Sequence, residues 1–283
     1  MASSCGNTDE AQPLPGDKKV VLFGKTGEGK SNIANVLVTG GISETVVFKS
    51  SDAARGCTER IMRDRGRGWF VIDTVGLGEA EMGNTSHAEA QKLVTDFLKE
   101  FKGSYSHIIY VQRARRITTM EELIWKLFAQ IFKGAEGAFV VVITSATQLW
   151  YEENKDKFPS YWTEENVKIL YTDIPPEHKR PVLEKKLKPK RKAAIAKLEE
   201  DLQAFFEENK QKGGDGYFTP DIAKMDERQL ENKSKSLLDY IVEQIKKLFD
   251  RGNWESVAKR LSTVIQVTER ILDIILLADA VRD

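Results

Sequence analysis

Over the first two thirds of the chain, short runs of consecutive apolar residues alternate with stretches whose apolar positions recur every three or four residues. The runs lie at 19–23, 69–72, 107–111 and 138–144, with a weaker one at 167–171. Each is short, rich in β-branched residues and free of polar alternation, the signature of a strand buried on both faces. The stretches at 32–38, 87–101, 120–132 and 182–208 carry helical spacing, and in the last of them Leu183, Leu187, Ile195, Leu198, Leu202 and Phe205 form the stripe. Strands alternating with helices predict a mainly parallel sheet with helices on both faces. Past Gly213-Gly214-Asp215-Gly216 the pattern changes to two long amphipathic helices, 227–251 and 254–281. The second repeats every seven residues through Trp254, Val257, Leu261, Val264, Ile271, Ile275 and Ala278, broken by Thr268, a stripe expected to pack on the sheet domain or on the preceding helix, with a partner-binding coiled coil as the alternative. The chain therefore divides into a polar tail (1–17), an α/β domain (18–225) and a C-terminal helical extension (226–283).

Composition narrows the function classes. With 43 Lys plus Arg against 43 Asp plus Glu in 283 residues, bulk attraction to nucleic-acid phosphates is not expected. A local basic run does exist: 179–197 holds nine Lys or Arg against the single acid Glu184. A solvated helix face is its first reading, and contact with anionic lipid headgroups its second. Cys5 and Cys57 are too few and too far apart for a disulfide framework or a zinc site, and His87, His107 and His178 form no metal spacing. The N-terminus has neither a signal-peptide core nor a transit-peptide pattern, and Ala2 excludes myristoylation. The apolar run 271–280 is interrupted by Asp273 and is shorter than the ~20 residues that span a bilayer. A cytoplasmic location is the expectation.

Chemistry concentrates at the end of the first strand. Gly24-Lys25-Thr26-Gly27-Glu28-Gly29-Lys30-Ser31 satisfies G-x-x-x-x-G-K-[ST] between a strand and a helix that begins near Asn32. Such a loop turns backbone N–H groups around phosphates, Lys30 adds a charge to the same oxygens, and the Ser31 hydroxyl is placed to ligate Mg²⁺. The strand 69–72 runs into Asp73-Thr74-Val75-Gly76, where Asp73 would support the metal shell and the Gly76 N–H would sense a γ-phosphate. Together these predict a GTPase rather than a kinase. Leu77 follows Gly76, so no glutamine orients the attacking water, and hydrolysis should be slow unless an arginine is supplied. Arg113, Arg115 and Arg116, just beyond a strand end, are one candidate supply, with an ordinary solvated arginine cluster as the other reading.

The loop GKTGEGKS, the strand end IDTVG and the stretch RRITTMEELIWKLFAQIF together resemble the immune-associated nucleotide-binding (GIMAP-type) GTPases, relatives of septins and of the chloroplast-import Toc GTPases. That family carries a box of the form G-R-[FY]-T-x-E-E. Arg116, Thr118, Glu121 and Glu122 match it, while Arg115 stands in place of Gly and Ile117 in place of the aromatic residue. Tyr217-Phe218-Thr219 resembles the family's later Y-[FT]-T stretch. The resemblance implies GTP and GDP as ligands, Mg²⁺ as cofactor, and a nucleotide-dependent homodimer in which Arg116 acts across the interface.

Two departures accompany it. The family's guanine-reading [RT]-x-x-D falls on Thr144-Ser145-Ala146-Thr147, which has no acid, so Asp173 in the next loop is the available acceptor. Switch I aligns on 53–57, with Ala54 where a threonine is expected, leaving Thr58 as the substitute ligand for Mg²⁺ and the γ-phosphate. Beside the slow GTPase switch stand a non-hydrolysing scaffold acting through its C-terminal helices, on a protein partner or a membrane surface, and a base-promiscuous NTPase.

Overall fold

The computed structural model describes residues 11–25, 27–41, 47–48, 61–74, 87–163 and 167–249. The five runs of apolar residues are strands: β1 (Lys18–Phe23), β3 (Trp69–Asp73), β4 (His107–Arg113), β5 (Phe139–Thr144) and β6 (Lys168–Thr172). They pair in parallel, in a six-stranded sheet of order β2-β3-β1-β4-β5-β6. The sixth member, β2 (Met62–Gly66), lies antiparallel on β3 at the edge. Its sequence MRDRG has no apolar run, because an edge strand buries little. Arg67 (φ 53°) and Gly68 (φ 75°) make the two-residue turn between them, both left-handed as a type I′ hairpin requires.

Helices cover both faces, as the alternating pattern predicts. Along β1, Val20 and Leu22 point into one core with Ile33, Leu37, Leu198 and Leu202, residues of α1 (Lys30–Thr39) and α6 (Pro181–Gln211). Val21 and Phe23 point into the other, which holds side chains of α2 (His87–Lys99), α3 (Thr119–Ile131) and α7 (Glu227–Phe249). This second core is aromatic: Phe23 stacks on Phe128 at 4.3 Å, and Tyr110 meets Trp125 edge-on at 5.4 Å. Two short helices absent from the sequence pattern, α4 (Gln148–Asn154) and α5 (Ser160–Thr163), bridge β5 to β6. α5 buries Trp162 fully, against Trp125.

The first helix of the C-terminal extension packs on α2. Leu230, Leu237 and Leu238 are buried there, and Ser234 and Thr95 share a hydrogen bond of 2.8 Å. The seven-residue stripe expected over 254–281 lies outside the described residues, as does Cys57. Among the described residues no helix is long and apolar enough to cross a membrane. The α6 stripe departs from expectation at its start: Leu183 is 38% exposed, and burial sets in only at Arg191.

Candidate functional site

The carboxyl ends of β1, β3, β4 and β5 converge on the glycine-rich loop, at the sheet edge where parallel α/β folds bind ligands. Gly24 leaves β1 at φ 133°, and a Cβ there would sit 2.3 Å from the Val111 carbonyl oxygen of β4, so the first glycine is demanded by backbone approach. Gly29, at φ 99°, caps α1 in the left-handed conformation and frees the first-turn N–H groups to face the loop.

Lys30 is 4% exposed. Its Nζ donates to the carbonyls of Gly24 (2.7 Å) and Lys25 (2.8 Å), which aims the ammonium across the mouth of the loop. Burial pulls its pKa down to about 8, against the opposing pull of the Asp73 and Glu28 carboxylates. Ser31 is buried in the first turn of α1, whereas Asn32 is exposed. Asp73 is fully buried at the end of β3, level with Leu22 of β1. Next to it Thr74 donates from Oγ1 to the Leu22 carbonyl at 2.6 Å, holding the exit of β3 against β1. The Ser31 hydroxyl and the buried Asp73 carboxylate are hard oxygen donors of the kind that fits Mg²⁺. Among the described residues, no cluster of three or more His, Cys, Asp or Glu could hold a metal by itself. Thr26, Thr58 and Gly76 lie outside the described residues.

Glu28 shows what the motif conceals. Its side chain is 3% exposed. The carboxylate accepts from the backbone N–H of Arg113 and from the guanidinium of Arg115. Arg115 also donates to Glu121 at 2.9 Å, and Glu121, 1% exposed, accepts from the Thr118 N–H at 2.9 Å and from the Thr118 hydroxyl. Lys25 Nζ stands 3.9 Å from the same Glu121. One network of buried carboxylates thus joins the phosphate loop to the arginine segment and to the start of α3. Glu121, a matching position of the family box, is a structural anchor here. Arg115 is committed to two carboxylates of its own chain. Arg116 is exposed, and with Arg113, Arg115, Trp150, Lys157 and Tyr161 it lines a cavity of about 560 Å³ between the arginine segment and α4. In the sequence only Arg115, standing where the family box has Gly, hinted at this network, because Glu28 occupies a variable position of the loop motif.

The chain belongs to the AIG1 family. The family's pattern matches residues 18–237, from β1 into α7, and so includes the loop, the arginine segment and the anchoring carboxylates. The comparison with curated proteins returned no match. Three solved structures are similar to this AIG1-family chain. Translation elongation factor SelB from Methanococcus maripaludis, in complex with the GTP analogue GppNHp, shares 12% identity at a TM-score of 0.32, over 56% of this chain and 30% of that one. A bacterial selenocysteine-specific elongation factor, EF-Sec, shares 11% at 0.37, over 68% and 29%. A probable GTP-binding protein, engB, shares 12% at 0.35, over 67% and 99%. The chain thus spans about a third of the length of the two elongation factors.

On the base side, the sequence-derived residues have other engagements. Thr144 donates from Oγ1 to the Glu28 carbonyl at 2.7 Å, so its hydroxyl supports the loop. Ser145 is exposed in the left-handed region at φ 54°. Thr147, standing where the family has its acid, is the N-cap of α4 and accepts from the Trp150 N–H at 3.2 Å. Asp173 is exposed just beyond β6. The loop that follows it is pinned from α6 by the buried Arg191, which donates to the carbonyls of Pro175 (2.8 Å) and Pro176 (2.7 Å).

Proposed function

We propose that this AIG1-family protein is a guanine-nucleotide switch with slow, Mg²⁺-dependent hydrolysis, completed by an arginine from a second copy. The observation that carries the reading is the buried Lys30 ammonium held across the loop by two of the loop's own carbonyls, beside the buried Asp73. In this reading the loop N–H groups and Lys30 cradle the phosphates. Ser31 and Asp73 would hold Mg²⁺, which would offset phosphate charge. Gly76 senses the γ-phosphate, and Thr58 joins it from switch I. Leu77 orients no water, which makes the intrinsic rate slow. Arg116, exposed at the nucleotide edge and free of the carboxylates that occupy Arg115, is the residue presented to a neighbour.

A second reading, a base-promiscuous NTPase, is favoured by Thr147. A hydroxyl used as a helix cap does not discriminate the guanine edge as a carboxylate does. Equilibrium titration with GTP, GDP and ATP separates the two. A modest preference for guanine, flattened by Asp173→Ala, is expected of the switch, and equal affinity for GTP and ATP in the wild type would establish the promiscuous reading. Binding of none of the three would remove both.

A further inference from the structure

We infer that the first three turns of α6 form a docking surface for an anionic phospholipid bilayer. The helix runs for 31 residues, but its buried side chains begin at Arg191. None of residues 181–190 is buried, so the body covers little of this part, and the helix begins after β6, whose carboxyl end lies at the sheet edge that carries the glycine-rich loop. Two of the most exposed large apolar side chains among the described residues sit in its opening turn, Val182 at 71% and Leu183 at 38%.

Helical geometry sorts the rest. Arg191, Ile195, Leu198 and Leu202 share the inward side and are buried. The opposite side runs through Val182, Pro189, Ala193 and Ala196, with Lys185 and Lys192 along one flank and Lys186 and Lys190 along the other. The single acid of the 179–197 run, Glu184, is occupied by Arg191 at 2.8 and 3.0 Å and does not neutralise the lysines. An apolar centre between two rows of lysines matches a headgroup layer: small side chains enter the interface while lysine stems lie along it and their ammonium groups reach lipid phosphates. A duplex offers the phosphates but nothing for Val182 and Leu183. A second copy of this helix would bring only charge of the same sign.

The test is vesicle sedimentation of the full chain. Binding to vesicles of phosphatidylcholine with about 30% phosphatidylserine should exceed binding to phosphatidylcholine alone at least tenfold, and should fall steeply between about 0.1 M and 0.5 M salt. Lys185→Glu/Lys186→Glu/Lys190→Glu should abolish the excess, and Val182→Ser/Leu183→Ser should reduce it severalfold. All five positions are exposed, so thermal melts of both variants should match wild type. The inference is overturned if pelleting is equal on neutral vesicles or survives the lysine reversals. It is overturned equally if a duplex oligonucleotide binds this surface more tightly than the vesicles at the same salt.

Discussion

At the residue scale, the Lys30 ammonium lies in a nearly dry site, held by the carbonyls of Gly24 and Lys25. With its pKa near 8, the Lys30 ammonium loses its proton within an accessible range when no phosphate is present. Phosphate oxygens stabilise the charged form, so nucleotide binding takes up a proton wherever the free site has lost one. The sign follows: affinity is level below about pH 8 and weakens above it, by up to about tenfold per pH unit. Titration of GTP from pH 7 to 9.5 should show this slope. Lys30→Ala should lower affinity by roughly 1.5–3 kcal/mol at pH 7 and remove the slope with it. A slope that persists in the variant would assign the proton to another group. The residue types of the loop were readable directly, because a phosphate cradle needs glycine, lysine and hydroxyl at set spacing. The role of Glu28 was not, since a carboxylate at a variable motif position reveals its direction only when its partners are in place.

Elements were legible in proportion to what they bury. The four inner strands announce themselves because both faces lie in the core, whereas the edge strands β6 and β2 give a weaker run and none, and α4 buries no residue. α6 was legible as a helix, but its spacing could not say that the body receives only its later turns. Those turns create a buried titratable contact. His107 of β4 donates from Nε2 to the Leu202 carbonyl at 3.0 Å and lies against Phe205 and Trp69. Burial lowers its pKa to about 4. The folded state therefore holds a neutral imidazole where the unfolded chain takes a proton near pH 6.5. Stability from this group is complete above about pH 6.5, falls as pH drops toward 4, and loses about 3 kcal/mol over that window. Urea midpoints at pH 7, 5.5 and 4.5 should show the decline, and His107→Gln, which cannot titrate, should decline less. Parallel declines would assign the acid sensitivity elsewhere.

For the whole molecule, the arginine segment follows β4 at the same sheet edge as the glycine-rich loop, so in the proposed switch turnover would be a property of pairs. If Arg116 completes a neighbour's site, specific activity should rise with protein concentration, and a triphosphate analogue should promote dimers more than GDP does. A fully engaged arginine is worth about 10³–10⁵ in rate. Arg116→Ala should keep nucleotide affinity and lose the concentration dependence, whereas specific activity independent of concentration in both proteins would establish a slow monomeric switch. The network at Glu28 bears on how such an encounter would proceed. A catalytic group delivered by a mobile loop must be ordered at the moment of contact, and that lost freedom is subtracted from the association energy. Here the Arg113 amide and the Arg115 guanidinium are already moored to the neighbouring phosphate loop, so the segment next to Arg116 has been ordered during folding. Two copies meeting face to face would bring rigid edges together, and the lifetime of their complex would be governed by fit rather than by the time needed to find a loop conformation.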